Sequence, residues 1–312
     1  MNAIDLTGLK VITLSDIEAA AQKGGTEVVT AENAILTPSA REALQARGMS
    51  ARKGPAAAAA SAATAPSDPR YAALFDSPDA RAIREEICAV GRKLWMRQYV
   101  DGNGGNISCR IGPNEAICTP TLCSKADLTP DALCLVDLDG KQLHGGRPRT
   151  SEILLHLEIY KQVPEAKAVV HCHPPHATAY AITGKVPPTC VIPEYEVFIG
   201  KVALSPYETP GTTEFAQTVI PYVRAHNTVL LANHGIVCWG DTVTHAEWYA
   251  EVVDTYCWTL MLASQLGSPL THIPPDKTAE LLAIKKKLGL PDARHEMKEC
   301  QLCDLPETPG CG

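Results

Sequence analysis

Residues 53–66 read KGPAAAAASAATAP, and no other stretch constrains the fold of this 312-residue chain as strongly. Eight of the fourteen positions are Ala, Pro55 and Pro66 flank them, and Thr64 is the one β-branched residue. Such a segment has almost nothing to bury, so it reads as a linker, a semi-rigid spacer that divides the chain unequally. A module at residues 1–52 precedes it; a unit of catalytic size, residues 67–275, and a C-terminal tail, 276–312, follow.

The first module predicts two short helices around an extended stretch. Leu14, Ile17, Ala20 and Ala21 form a narrow apolar stripe that Gly24 and Gly25 end, residues 27–36 read as extended, and Thr37-Pro38 opens a second helix that Gly48 closes. The module holds no His, Cys, Trp, Tyr or Phe, so chemistry is not expected there. A helix burying four small apolar residues is marginal alone, and it is expected to order against a partner's groove or against its own catalytic unit.

Composition narrows the partners. The net charge is −7, from 28 Lys plus Arg against 35 Asp plus Glu, and no long basic run occurs, so neither nucleic acid nor an anionic membrane is expected to bind. A small molecule fits better. No apolar run of membrane-spanning length and no secretory leader pattern is found, which points to a cytoplasmic protein. The twelve Cys are scattered, several inside expected strands, so most should be reduced and buried. Cys300 and Cys303 form the only C-x-x-C pair, a weak zinc or redox signal.

Beyond the spacer, Ile83, Ile87, Val90 and Leu94 mark a helix, and the turn at 101–106 (DGNGGN) leads into alternating strands at 107–111, 116–119 and 132–137. A helix at 151–162, a buried strand at 166–171, strands at 228–231 and 235–239 and a long helix at 241–264 complete a sheet with helices on its faces.

His171 and His173 end an apolar strand in VVHCHPPH; at i and i+2 both imidazoles point to one side of the sheet, so one ion can touch both. His234, in LLANHGIV, also stands where a buried strand meets a turn. An isolated H-x-H is more often two hydrogen-bonded histidines, but agreement between two strand ends favours a metal set. Glu152, in the first turn of the 151–162 helix, is the candidate carboxylate, although an ordinary first-turn or capping Glu is the simpler reading of its position; Glu152 with His156 at i+4 is a rival metal pair that no nearby third ligand supports.

The segments GNGGNISCRIG, TSEILLH, VVHCHPPHATAYA, SPYETPGT and LLANHGIVCWGDTVTHA stand in this order over about residues 75–265 and closely resemble the class II aldolase and adducin family. The resemblance implies an α/β fold, a three-layer α/β/α sandwich with a mostly antiparallel central sheet, assembled as a homotetramer with active sites at subunit interfaces. It implies one Zn2+ per subunit on His171, His173 and His234, with Glu152 as the catalytic acid/base that also ligates zinc before substrate arrives. Gly105, Asn106, Thr121, Thr150 and Ser151 fall at its phosphate-binding positions. The activity implied is reversible cleavage of a ketose 1-phosphate, of the L-fuculose or L-rhamnulose 1-phosphate type, into dihydroxyacetone phosphate and L-lactaldehyde. A 4-epimerase of the L-ribulose-5-phosphate type is the alternative within the family, though that branch normally has Asp at position 152; a non-catalytic adducin-like binding domain is the alternative outside enzymes.

Two departures stand out. Thr121 is followed by Leu122 where the family has Gly, with Lys125 close by as another source of charge. The family's tail tyrosine is missing, since no aromatic residue follows Trp258; Tyr195 is the candidate replacement, a buried interface Tyr being the equal alternative. The first module resembles N-terminal modules on enzymes of bacterial microcompartments, which implies a shell protein as a further partner and a location inside such a compartment.

Overall fold

The computed structural model describes residues 3–7, 9, 11–12, 14–32, 34–54, 68–298 and 301–303. They form two compact units, Met1–Ala65 and Pro66–Gly312. Most of the expected spacer, residues 55–66, lies outside the described residues.

In the first unit, β1 (Ala3–Leu6), β2 (Val11–Ile12), α1 (Leu14–Gln22), β3 (Glu27–Ala31), β4 (Ile35–Leu36), α2 (Pro38–Ala46) and β5 (Ser50–Gly54) follow one another. Strands β1, β3 and β5 pair in parallel with β3 central, while β2 pairs with β4. Parallel pairing requires a crossover between strands, and α1 and α2 supply it. The arrangement is a repeat: Ala3 pairs with Glu27 and Val11 with Ile35, each offset by 24 positions. Gly24 and Gly48, at the same offset, carry φ of 74° and 63° at the ends of the two helices, a left-handed conformation that only Gly adopts freely.

This corrects the expectation for α1. Ile17 and Ala20 do not wait for a partner; they are buried with Ile12, Val28, Ala40, Ala43 and Leu44 in a core of the module's own. Strand β5 also takes up Lys53 and Gly54 from the expected spacer, with the Lys53 Nζ donating to Glu32 O at 2.7 Å. Strands β1, β2 and β5 are too short or too polar for alternation to reveal them.

The second unit opens with α3 (Pro69–Phe75) and α4 (Pro78–Met96), followed by β6 (Asn106–Arg110), β7 (Glu115–Cys118), β8 (Cys134–Asp137) and β9 (Gln142–His144). Next come α5 (Ile153–Gln162), β10 (Ala168–Cys172), α6 (Pro175–Ile182), α7 (Pro193–Phe198), β11 (Ala203–Ser205) and α8 (Thr213–Gln217). Strands β12 (Thr228–Leu231) and β13 (Gly235–Gly240), then α9 (Val243–Gln265) and α10 (Pro275–Lys287), complete it. The eight strands run in the order β11-β12-β13-β10-β6-β7-β8-β9. Every neighbouring pair is antiparallel except β11 with β12.

Strand alternation sorts the side chains into two cores. Ile107, Val170, Cys172 and Ile236 face α4, α6 and α9, while Cys118, Val169, Val237 and Trp239 face α5 and α8. This is the expected three-layer α/β/α sandwich. Among the described residues no helix is long and apolar enough to cross a membrane.

The segment after α9 packs as part of the unit. Helix α10 lies against α7, Arg294 pairs with Glu196 at 2.8 Å, Lys285 pairs with Asp292 at 3.1 Å, and all four side chains are buried. A disulfide joins Cys190 to Cys303. The C-x-x-C reading is therefore corrected, because Cys303 is bonded to a distant Cys; Cys300 lies outside the described residues. The other eight described Cys are free and buried, as expected.

Candidate functional site

His171 is the last residue but one of β10, on the face shared with Val169, and its backbone pairs with Asn106 of β6 and Val237 of β13. Two residues on, His173 leaves the strand, its N–H donating to Tyr99 O at 2.7 Å. His234 sits in the turn between β12 and β13, preceded by Asn233 in the left-handed region at φ 55°. Gly235 follows because there is no room for a side chain: a Cβ there would lie 2.5 Å from Cys172 O and 2.6 Å from His173 Cδ2. The three imidazoles converge, with one ligand nitrogen of each within 4.8 Å of the others.

The tautomer of His171 is fixed by its neighbour. His171 Nδ1 donates to Ile236 O at 2.8 Å, and since a carbonyl only accepts, Nε2 carries the lone pair. That Nε2 stands 3.1 Å from His173 Nε2 and 3.2 Å from Glu152 Oε2, with His234 Nε2 3.9 Å from Glu152 Oε1. Burial, then the neighbouring imidazoles, holds His171 well below the usual range; burial brings His173 to about 4 and lowers His234. Neutral imidazoles gathered beside a carboxylate, with the His171 Nε2 lone pair turned toward them, are a donor set suited to a divalent cation.

Glu152 is the N-cap residue of α5, one position before the helix rather than inside its first turn. Its Oε2 accepts from Asn106 Nδ2 at 3.0 Å. Behind Asn106 runs a buried chain missed from sequence: Asn106 Oδ1 to His156 Nε2 at 2.5 Å, His156 Nδ1 to Ser108 Oγ at 2.8 Å, and Ser108 Oγ to Tyr160 at 2.7 Å. Burial pushes His156 down to about 3, so it is neutral. It donates from Nε2, which leaves the Asn106 amide oriented to donate to Glu152. His156 therefore orients Asn106 rather than forming a rival metal pair with Glu152. The i, i+4 spacing of Glu152 and His156 was visible; the partner on β6 was not.

The phosphate candidates lie on loops that hydrogen bonds place side by side. Thr150 N–H donates to Thr119 O at 3.0 Å and Thr121 N–H to Pro148 O at 2.9 Å, so the 119–121 segment runs beside Thr150 and Ser151. Gly105, at φ 69°, could not carry a side chain, because its Cβ would lie 2.5 Å from Val100 Cγ1 and 2.9 Å from His171 O. Asn106 is placed with its side chain on Glu152. Leu122 keeps the left-handed backbone expected of the missing Gly, at φ 51°, with its side chain 74% exposed.

Tyr195 is different. It lies in α7, 1% exposed, with its ring stacked on Tyr256 at 3.7 Å and its hydroxyl without a partner. Burial pushes its phenol well above the usual range. No hydrogen bond or ring contact among the described residues joins it to the imidazole cluster.

Comparison with known proteins agrees with this geometry. The Class II Aldolase and Adducin N-terminal domain matches residues 85–261. The 3-oxo-tetronate 4-phosphate decarboxylase of Haemophilus influenzae is 34% identical over 169 residues, 53% of this chain and 80% of that protein. The L-fuculose phosphate aldolase of Methanococcus maripaludis is 37% identical over 169 residues, 54% of this chain and 91% of its own. Among solved structures, YgbL from Escherichia coli, a putative aldolase/epimerase/decarboxylase, superposes with a TM-score of 0.59 at 28% identity, covering 64% of this chain and 98% of that one. The match spans more than half of the chain, and the protein belongs to the class II aldolase and adducin family.

Proposed function

We propose that the protein is a zinc-dependent aldolase that reversibly cleaves a ketose 1-phosphate, of the L-fuculose or L-rhamnulose type, into dihydroxyacetone phosphate and L-lactaldehyde. The observation that carries this reading is the convergence of His171, His173 and His234 on one point with the Glu152 carboxylate 3.2 Å from His171 Nε2. One zinc ion per subunit, held by the three imidazoles, would supply a Lewis acid for the charge that develops on the ketone oxygen as the C3–C4 bond breaks. Glu152, oriented by Asn106, moves the proton to or from C3 of the dihydroxyacetone phosphate half. Gly105, Thr121, Thr150 and Ser151 offer amides and hydroxyls to the phosphate.

A second reading has specific support in the decarboxylase relatives. Loss of carbon dioxide from a phosphorylated 3-oxo acid also leaves negative charge beside a ketone, which the same four side chains suit. Assays on metal-loaded protein separate the two: ketose 1-phosphates releasing dihydroxyacetone phosphate support the aldolase, whereas carbon dioxide from 3-oxo acid phosphates with no aldol cleavage overturns it. Under the first reading the enzyme is a cytoplasmic homotetramer, and residues 1–52 attach it to a microcompartment shell protein. The attachment would use the module's folded surface, since Ile17 is 0% exposed in its own core.

A further inference from the structure

Lys125 is a buried cation without an anion among the described residues. The residue is 1% exposed, and Nζ donates to two backbone carbonyls, Cys123 O at 2.8 Å and Asn103 O at 3.0 Å. An ammonium has three N–H donors, so one is left over. No carboxylate oxygen lies within 4.0 Å of Nζ among the described residues. The contrast is Lys285, equally buried, whose ammonium meets Asp292 Oδ2 at 3.1 Å. Burial of an unpaired charge is costly, and a fold that retains one has a use for it.

Its surroundings say which use. The two carbonyls belong to different loops, the glycine-rich turn that leads to Gly105 and Asn106 and the segment that follows Thr121. Thr119 in turn accepts the Thr150 N–H, so the third candidate phosphate loop is bonded to the same segment. Burial pushes the ammonium down to about 8, with Cys123 and then Glu152 acting in the opposite sense. Gly105, Thr121, Thr150 and Ser151 can bind an anion only through neutral donors.

We infer that Lys125 is the cationic donor for the phosphate monoester of the substrate, its third N–H completing a cradle made otherwise of amides and hydroxyls. This rests on the reading of the substrate as a sugar phosphate. Because the same nitrogen also ties two loops together, charge must be separated from tethering. Lys125→Gln keeps amide N–H donors for the carbonyls and removes the charge, while Lys125→Met removes both.

The test is calorimetric titration of the metal-loaded, full-length protein with inorganic phosphate. Wild type should bind, and both variants should bind at least about tenfold more weakly while retaining full metal content. In the solvent-deuterium exchange of the donor, the Michaelis constant for dihydroxyacetone phosphate should rise in Lys125→Gln, with that for unphosphorylated dihydroxyacetone unchanged. Wild-type affinity in Lys125→Gln would make Lys125 a loop tether and overturn the inference, as would absence of phosphate binding by wild type. Failure to cleave any ketose 1-phosphate would instead remove the aldolase reading, while the phosphate titration still decides the role of Lys125.

Discussion

The two units of this chain treat buried polar side chains in opposite ways. In the first, the buried polar residues among those described are Thr7 and Thr30, and the core is otherwise Ile, Val, Leu and Ala. The second buries Lys125, His156, His171, Glu196, Glu247, Lys285, Asp292 and Arg294. Since each buried charge or imidazole opposes folding unless satisfied, their concentration in one unit marks where structure has been spent on chemistry. Within that unit a second contrast appears. Arg294 with Glu196, and Lys285 with Asp292, are paired and fasten the C-terminal segment onto α7. The imidazoles instead face one another and the Glu152 carboxylate, and Lys125 donates to backbone carbonyls.

The change that would break this comparison most severely is His171→Ala. Two imidazoles hold a divalent ion weakly, so bound metal and turnover should both vanish while the first unit keeps its fold. Metal analysis of the purified variant checks this, and full metal occupancy would remove His171 from the ligand set. Glu152→Gln should act on chemistry more than on metal: most of the ion is retained, and solvent deuterium enters dihydroxyacetone phosphate about 10²–10⁴-fold more slowly. Exchange at the wild-type rate would take the proton-transfer role away from Glu152.

Much of the second unit was legible in the sequence because its signals are local. The H-x-H pair on an apolar strand, the Asn-His-Gly turn and the alternation of β6, β7 and β10 all follow from spacing within a few residues. Asn106 between Glu152 and His156 was not legible, since it depends on β6 lying beside β10 in one particular register. The pairing of Cys303 with Cys190 across 113 positions was hidden for the same reason, and the nearby Cys300 suggested a local pair instead. In the first unit the 24-residue repeat went unread although the second copy keeps Ser15, Glu18, Ala19 and Gly24 as Ser39, Glu42, Ala43 and Gly48, because each copy is short and the strand positions differ, as at Ile4 with Val28.

A sharper comparison comes from disturbing the first unit alone. Ile17 is fully buried there, and Ile17→Ala should cost that unit about 2–5 kcal/mol through lost burial and the cavity left behind. Hydrogen exchange along α1 should accelerate while metal content and turnover stay at wild-type values. Deletion of residues 1–66 should likewise leave both unchanged. If the truncated protein loses metal or turnover, the division into a packing unit and a chemical unit is wrong, and residues 1–52 contribute to the site. A fusion of residues 1–53 to a fluorescent protein tests the shell reading separately, and a diffuse signal in shell-bearing cells would count against it.

The smallest expected effect lies at Leu122, where the family pattern has Gly. A left-handed backbone costs an L-residue roughly 1–2 kcal/mol, while Gly loses roughly 0.5–1 kcal/mol more through chain entropy on folding. The side chain of Leu122 is 74% exposed, so its removal forfeits little burial in this chain. Leu122→Gly should therefore stabilise the second unit by about 1 kcal/mol or less, a rise in melting temperature of at most about 2–4 °C for a unit of this size. Phosphate affinity and metal content should not change, because the backbone conformation that carries Thr121 and Lys125 is the one Gly prefers. A loss of stability would mean that the Leu122 side chain is covered in the working protein, and among the described residues of a single chain nothing covers it. The covering surface would then belong to another copy, and melting measured across protein concentrations would reveal it: the difference between Leu122→Gly and wild type would grow as the subunits associate.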